Sequence, residues 1–323
     1  MILWKGEALG NDYLVVERSD LPWSLSPARC AAICDRHTGL GSDGILIREP
    51  AAPGEFRLQI LNPDGSEAEK SGNGLRIFGA YLHGLGLVAN DWFTVRLVKD
   101  SVRMRVEGKV HARPVAADAG KARSPAVSPE VGGARIEHDR DWGALDIRVE
   151  MGRASFRCAD AGFQAPDVAD NTEVLGHKLA LPKGGHAEIN TVSLSNPHCV
   201  VLVDALDRDD FLARAPQLCT HHAFSRGTNV QFARVMSDNL LEILIWERGV
   251  GETLASGSSA CAAAAAAVRR GVMPFGRTHV RMSGGTAEVE ILEDYAVRLR
   301  GPARMIYRAE ILATTLAGWG ELA

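Results

Sequence analysis

The chain has 323 residues, which is enough for about two domains of ordinary size. Hydrophobic residues make up 46% and charged residues 24%, as in folded globular proteins, and the net charge of −4 does not indicate a nucleic-acid-binding surface. The N-terminus lacks the pattern of a signal peptide, the alanine-rich run 260–268 is too short to span a bilayer, and the cysteines lack zinc-type spacing. We therefore expect a cytoplasmic protein with reduced cysteines and no membrane, nucleic-acid or metal partner.

Apolar, β-branched segments and small-residue turns predict secondary structure along the chain. In the first part they predict strands at 14–17, 45–47, 56–61 and within 93–110, and helices at 26–36 and 75–82. Residues 114–145, rich in Ala, Pro and Gly, predict a long loop. In the second part the patterns predict strands at 200–203, 230–232, 241–246 and within 278–299, and helices at 209–219 and 260–270.

The two parts of the chain repeat each other at an offset of 185 residues. Without a gap, residues 9–113 align with 194–298 and share 18 identities in 105 pairs, against roughly seven expected from average composition. This repeat predicts an α/β fold of the α+β type with two pseudo-symmetric, duplicated domains. Each domain should be a mainly antiparallel sheet around a central helix, with the active site in the cleft between them. We expect domains at 1–148 and 149–300, and a tail, 301–323, that packs back on the N-terminal domain.

Two equivalent turns of this repeat precede the central helices, one at Ser71 and the other at Ser256. A helix N-terminus offers unpaired N–H groups and a partial positive charge, which suits it to bind an anion. Each serine taken singly is explained as a plain helix cap. Two such turns at equivalent positions favour a function, in which both helices hold one carboxylate.

Short motifs in the predicted turns of the chain resemble those of the diaminopimelate epimerases. They occur in the same order along nearly the whole chain. They are residues 8–13, 35–43, 62–66, 72–74, 196–200, Asn229, 247–253 and 257–261. The resemblance implies a two-base proton transfer at the Cα of an amino acid, with no cofactor, and a homodimer. In the family, one cysteine removes the proton and a second returns one from the opposite face.

The resemblance also implies roles for individual residues of this chain. The family's cysteines correspond to Ser71 and Ser256, with His198 beside Ser71 and Glu247 beside Ser256 as activating partners. Substrate-binding positions are Asn11, Asn62, Gly72, Asn73, Asn196, Asn229, Glu247, Arg248, Gly257 and Ser258. Among them, Gly72, Asn73, Gly257 and Ser258 would surround the α-carboxylate with N–H groups, and the others would hold the amino group and the distal end.

The sequence departs from the family at the two catalytic positions, where Ser71 and Ser256 replace cysteine. Serine is a far weaker base than a thiol, whose pKa is about 8.5. Gly44 is a second departure, since the family has a polar glutamine there. Three explanations stay open for the serines: His198 or Glu247 carries the proton, the reaction needs only one base, or the serines were introduced to trap a ligand. The leading hypothesis is epimerisation of LL- or meso-diaminopimelate. The alternatives are a dehydratase or double-bond isomerase on the same fold, and a catalytically silent ligand-binding protein.

Overall fold

A computed structural model describes residues 1–110, 143–169 and 171–322. It confirms the duplicated α/β architecture, with sheets of mainly antiparallel strands wrapped around two central helices. The loop expected at 114–145 lies almost wholly outside the described residues. None of the described helices is long and apolar enough to cross a membrane.

The first half contains seven strands and two helices in the described residues, besides a short 3-10 turn at Arg18–Asp20. The strands are β1 (Ile2–Ala8), β2 (Asn11–Glu17), β3 (Ile45–Glu49), β4 (Phe56–Leu61), β5 (Phe93–Arg96), β6 (Ser101–Lys109) and β7 (Leu145–Arg153). The helices are α1 (Pro27–Cys34) and α2 (Gly72–Gly84). Helix α1 joins the parallel pair β2/β3 and α2 joins the parallel pair β4/β5, because parallel strands need a crossover connection.

The second half repeats this order. Its strands are β8 (Leu175–Ala180), β9 (His186–Ser193), β10 (Pro197–Leu202), β11 (Asn229–Ser237), β12 (Leu240–Glu247), β13 (Gly251–Thr253), β14 (Gly276–Met282), β15 (Gly285–Ile291) and β16 (Ala296–Glu310). Its helices are α3 (Arg208–Cys219), α4 (Gly257–Arg269) and the terminal α5 (Ala313–Gly320). Helices α3 and α4 join the parallel pairs β10/β11 and β12/β14, as α1 and α2 do in the first half.

The long strand β16 holds the two halves together. It pairs with β15 of the second half and with β7 and β1 of the first, so that β1–β7 and β16 close into a ring around α2. After β16, helix α5 packs against α1, where the Arg29 guanidinium donates to the carbonyls of Trp319 and Gly320. The division at 148/149 and 300/301 stays a prediction; both points fall within strands, β7 and β16.

Helices α2 and α4 are the centres of the two halves, and their residues are almost all buried. Both begin three residues earlier than predicted, since the prediction left out the glycines and serines of their first turns, whose helix propensity is low. The Ser71 side chain nonetheless caps α2 by accepting from the Gly74 N–H. The start of α3 is also earlier than predicted, because Asp207 accepts from the N–H groups of Asp209 and Asp210.

Candidate active site

The first turns of α2 and α4 meet at two glycines. A Cβ added to Gly72 would lie 3.1 Å from the Cα of Gly257, and one added to Gly257 would lie 3.0 Å from the Cα of Gly72. Only glycine allows backbones to approach so closely. Two positive helix ends therefore lie side by side, an arrangement that a bound anion stabilises.

The Ser71 side of this junction contains a phenol. The Ser71 hydroxyl lies 3.3 Å from the Tyr13 hydroxyl, while it accepts from the Gly74 N–H at 3.0 Å. Ser71 is partly exposed, whereas Tyr13 is buried. Burial is the main cause that raises the Tyr13 pKa above its ordinary value of 10.0, and the negative charges of Glu247 and Asp43 raise it further. Tyr13 is therefore a neutral phenol at physiological pH.

The Ser256 side contains a carboxyl group instead. Glu247 ends β12, and burial raises the pKa of its carboxyl above 4.5, while hydrogen bonding with Ser256 acts in the opposite direction. Ser256 itself is 5% exposed, and its hydroxyl lies 3.5 Å from that of Ser258. A carboxyl with a raised pKa is a stronger base than an ordinary one, which suits it to proton abstraction.

His198 is fully buried in the second half, and both of its ring nitrogens have partners there. Its Nε2 lies 3.0 Å from the Asn196 Oδ1, and its Nδ1 lies 3.1 Å from the Nε2 of Gln231, which also donates to Ser259. Burial lowers the His198 pKa to about 3, so the ring is neutral. These contacts connect His198 to the first turn of α4, and its expected partnership with Ser71 stays a prediction.

The side-chain amides of the first half form a chain that reaches across the helix junction. The Asn73 amide donates to the Asn11 side chain at 3.2 Å and to the Ala255 carbonyl at 3.1 Å. Asn11 in turn donates to Asp43 at 2.6 Å. The amide of Asn62 lies in the turn after β4 and donates to the Ser66 hydroxyl at 3.0 Å.

In the second half, Asn229 fixes the end of β12. Its side chain donates to the Pro197 carbonyl at 3.1 Å and accepts from the Arg248 N–H at 3.0 Å. The Arg248 guanidinium donates to the Arg226 carbonyl at 2.7 Å and is otherwise exposed. The structure thus groups Ser71, Gly72 and Asn73 with Ser256, Gly257 and Glu247, and it places Arg248 next to Glu247 at the solvent edge.

The structure adds residues that were not among the predicted site positions, above all Tyr13, the last residue of the motif at 8–13, and Arg76. The fully buried Arg76 guanidinium bonds to the Gly72 carbonyl and the Asn73 side chain, and within the described residues its Nη1 has no partner. Burial lowers its pKa to about 10, so it stays positive at neutral pH and adds to the positive potential at the start of α2. The repeat itself could have identified Tyr13, because at the 185-residue offset Tyr13 aligns with His198.

Known proteins resemble this chain over nearly its whole length. A family model described as Diaminopimelate epimerase matches residues 3–125 and 190–306. The chain is 36% identical to "Diaminopimelate epimerase 2" of Nostoc sp. (96% of this chain, 95% of the relative) and 32% identical to the diaminopimelate epimerase of Pelotomaculum thermopropionicum (95% and 97%).

A solved structure of a hydroxyproline epimerase from Agrobacterium vitis, with bound trans-4-hydroxy-L-proline, has a similar fold. Its TM-score is 0.65 at 12% identity, with 100% of this chain and 95% of that chain covered. The chain therefore belongs to the diaminopimelate epimerase family, and the protein is an isomerase of the epimerase and racemase type.

Proposed function

We propose that this member of the diaminopimelate epimerase family interconverts LL- and meso-diaminopimelate by proton transfer at Cα, without a metal or an organic cofactor. The observation that carries the proposal is the junction of α2 and α4, where two helix N-termini meet at Gly72 and Gly257 between Ser71 and Ser256. The homodimer and the cytoplasmic location that the family implies are part of the same proposal.

The substrate α-carboxylate would bind at this junction. The N–H groups of Gly72, Asn73, Gly257 and Ser258 belong to first helical turns, where backbone donors have no intrahelical acceptor. Negative charge builds on this carboxylate when Cα loses its proton, so donors and dipoles fixed in advance stabilise the transition state. The buried charge of Arg76, one turn behind Gly72, acts in the same direction.

Glu247 would be the base on the Ser256 side. Its carboxyl is the titratable group against Ser256, and its raised pKa brings it closer to the working pH. Ser71 would face Cα from the opposite side of the junction. A proton removed on one side and returned on the other inverts the centre.

Arg248 would bind the distal carboxylate of diaminopimelate. The Asn229 side chain fixes the Arg248 backbone beside Glu247, while the exposed guanidinium still has donors available for a ligand. A planar guanidinium can hold a carboxylate with two parallel bonds.

Proton exchange in D₂O tests the proposed reaction. We expect purified protein incubated with LL-diaminopimelate to lose the α-proton signal in NMR and to form meso-diaminopimelate that carries deuterium at Cα. The Glu247→Gln variant, which keeps the size of the side chain, should show neither change. If the wild-type protein binds diaminopimelate and produces neither exchange nor inversion, the proposal is wrong and the protein is a binding module.

The difference between the two serine environments favours one second candidate, a dehydratase or double-bond isomerase. A carboxyl lies against Ser256 and a phenol lies against Ser71, and a reaction that needs a single base could use this asymmetry. In the same experiment, such an enzyme gives an unsaturated or rearranged product without inversion of the starting amino acid.

A further inference from the structure

We propose that Tyr13 is the proton donor on the Ser71 side, and that its proton reaches the substrate through the Ser71 hydroxyl. This inference rests on the proposed function, since it names the acid that stands where the family has a thiol. It concerns a residue outside the set of site positions that the family motifs imply.

The hydrogen bonds of Ser71 support a relay. Its oxygen accepts from the Gly74 N–H at 3.0 Å and lies 3.3 Å from the Tyr13 oxygen. A hydroxyl has two lone pairs and one proton. When both lone pairs accept, from Gly74 and from Tyr13, the Ser71 proton must point elsewhere, and Ser71 is partly exposed, so that this proton can reach a bound substrate.

Gly44 provides the space that the Tyr13 ring needs. A Cβ at position 44 would lie 2.8 Å from the Tyr13 Cε1 and 2.5 Å from the Leu61 carbonyl oxygen. Any larger residue there would displace the ring or the strand. The two departures from the family, glycine at position 44 and serine at position 71, are therefore structurally connected through Tyr13.

The repeat places Tyr13 at the position that His198 occupies in the other half. The surroundings of the two differ: both nitrogens of His198 are bonded within the second half, to Asn196 and Gln231, whereas the Tyr13 hydroxyl contacts the serine at the helix start. Tyr13 therefore lies where it can act on Ser71 directly.

The surroundings of Tyr13 keep its phenol protonated in the resting site, so that it donates a proton in the direction described here, and the reverse reaction passes through the same groups with their roles exchanged. Burial and the nearby carboxylates raise its pKa, so that the phenol holds its proton until a carbanion forms next to Ser71. In the proposed step, Glu247 takes the Cα proton and the electron pair remains on Cα and the α-carboxylate. Ser71 then protonates the opposite face of Cα while Tyr13 reprotonates Ser71. The resulting tyrosinate takes a proton from water and Glu247 releases one, which restores the starting state.

Substitution of Tyr13 by phenylalanine separates inversion from exchange. Wild-type, Tyr13→Phe and Tyr81→Phe proteins are incubated in D₂O with LL- and with meso-diaminopimelate, and both α-deuterium content and stereochemistry are measured. We expect Tyr13→Phe to lose about 10²–10⁴-fold in inversion, the range for a missing general acid. Deuterium should still enter the configuration whose α-proton faces Glu247, because that side is intact. Tyr81→Phe removes a buried phenol that donates to Glu17, and it should keep both rates.

A double variant tests whether Tyr13 acts through Ser71. If the two form one relay, Tyr13→Phe/Ser71→Ala should invert no more slowly than the slower single variant, because residues that act as a unit have non-additive effects. Inversion by Tyr13→Phe at the wild-type rate, or equal loss of exchange and inversion for both configurations, would overturn the inference while the proposed function stands. Absence of exchange and inversion in the wild-type protein would overturn both.

Discussion

The two serines at the helix junction have equivalent backbones and different chemical surroundings. Helices α2 and α4 are the same length and begin 185 residues apart, and each has a serine as its N-cap. A phenol, Tyr13, lies against Ser71, and a carboxyl, Glu247, lies against Ser256. The duplication thus supplies equivalent N–H donors for a carboxylate from both helices. The neighbouring side chains differ, with an acid next to Ser71 and a base next to Ser256.

This difference explains how the site could work without thiols. A thiol can serve as acid or base on either side because its pKa lies near the working pH. Serine titrates far from that range, so each serine needs a titratable neighbour. In the proposed step one neighbour, Tyr13, donates a proton and the other, Glu247, accepts one. The following predictions test that difference.

The largest effect is expected from Glu247→Gln. The amide keeps the shape but cannot take a proton, so inversion should fall by about 10²–10⁴-fold. Steady-state assays with LL- and with meso-diaminopimelate measure the loss. The matched control is Glu252→Gln, which removes an exposed carboxylate that pairs with Arg208. If Glu247→Gln retains wild-type activity, the base lies elsewhere.

Substitution of the two serines by cysteine should make proton transfer independent of Tyr13 and Glu247. We expect Ser71→Cys with Ser256→Cys to raise the rate of epimerisation by orders of magnitude, since a thiol is both a better acid and a better base here. In the Tyr13→Phe background, Ser71→Cys alone should restore inversion. Chiral chromatography of the product measures both, and an unchanged rate in the double-cysteine variant would mean that the site serves another substrate or other bases.

Arg248→Ala should weaken binding of a ligand with a distal carboxylate by about 1.5–3 kcal/mol, the range for hydrogen bonds to charged groups. Calorimetry with diaminopimelate, and with a short amino acid such as alanine as the matched ligand, measures the effect in the Glu247→Gln background. The short ligand should lose far less. Equal losses for the two ligands would argue against a distal-binding role.

The smallest effect concerns stability and the neutral His198. Its folded-state pKa of about 3 lies below the ordinary 6.5, so between these values the unfolded chain binds a proton that the folded protein does not. Stability should therefore fall as the pH falls below 6.5, by about 1.4 kcal/mol per pH unit from this residue. Urea unfolding from pH 8 to pH 5 should show a shallower dependence for His198→Gln and no such change for His222→Gln, which alters an exposed ring. An identical slope in wild type and His198→Gln would contradict a buried neutral histidine.

The sequence predicted the repeat, most of the strands within it and the two serine turns, because these depend on local patterns and on an ungapped offset. It did not predict β1, β7, β8 and β9, which lie outside the repeat. It also did not predict the earlier starts of α2 and α4, since the burial of both first turns and, in α2, the Ser71 cap outweigh the poor helix propensity of their glycines. The role of Tyr13 depends on the space over Gly44 and on a contact across 58 residues of chain, which no local pattern contains. The closing of the first ring by β16 is equally a long-range pairing, between residues 2–7 and 304–310.

A crystal structure of the Glu247→Gln variant with bound LL-diaminopimelate would show directly whether the substrate binds at the junction of α2 and α4. We expect the α-carboxylate to lie within about 3 Å of the N–H groups that begin α2 and α4, the distance of a normal hydrogen bond. We also expect Cα to lie between Ser71 on one face and residue 247 with Ser256 on the other. Density for the ligand in the cavity of about 440 Å³ lined by Arg153, Arg157 and Arg269 would contradict this binding mode. That cavity lies at the opposite end of α4, roughly 18 Å away at 1.5 Å per residue.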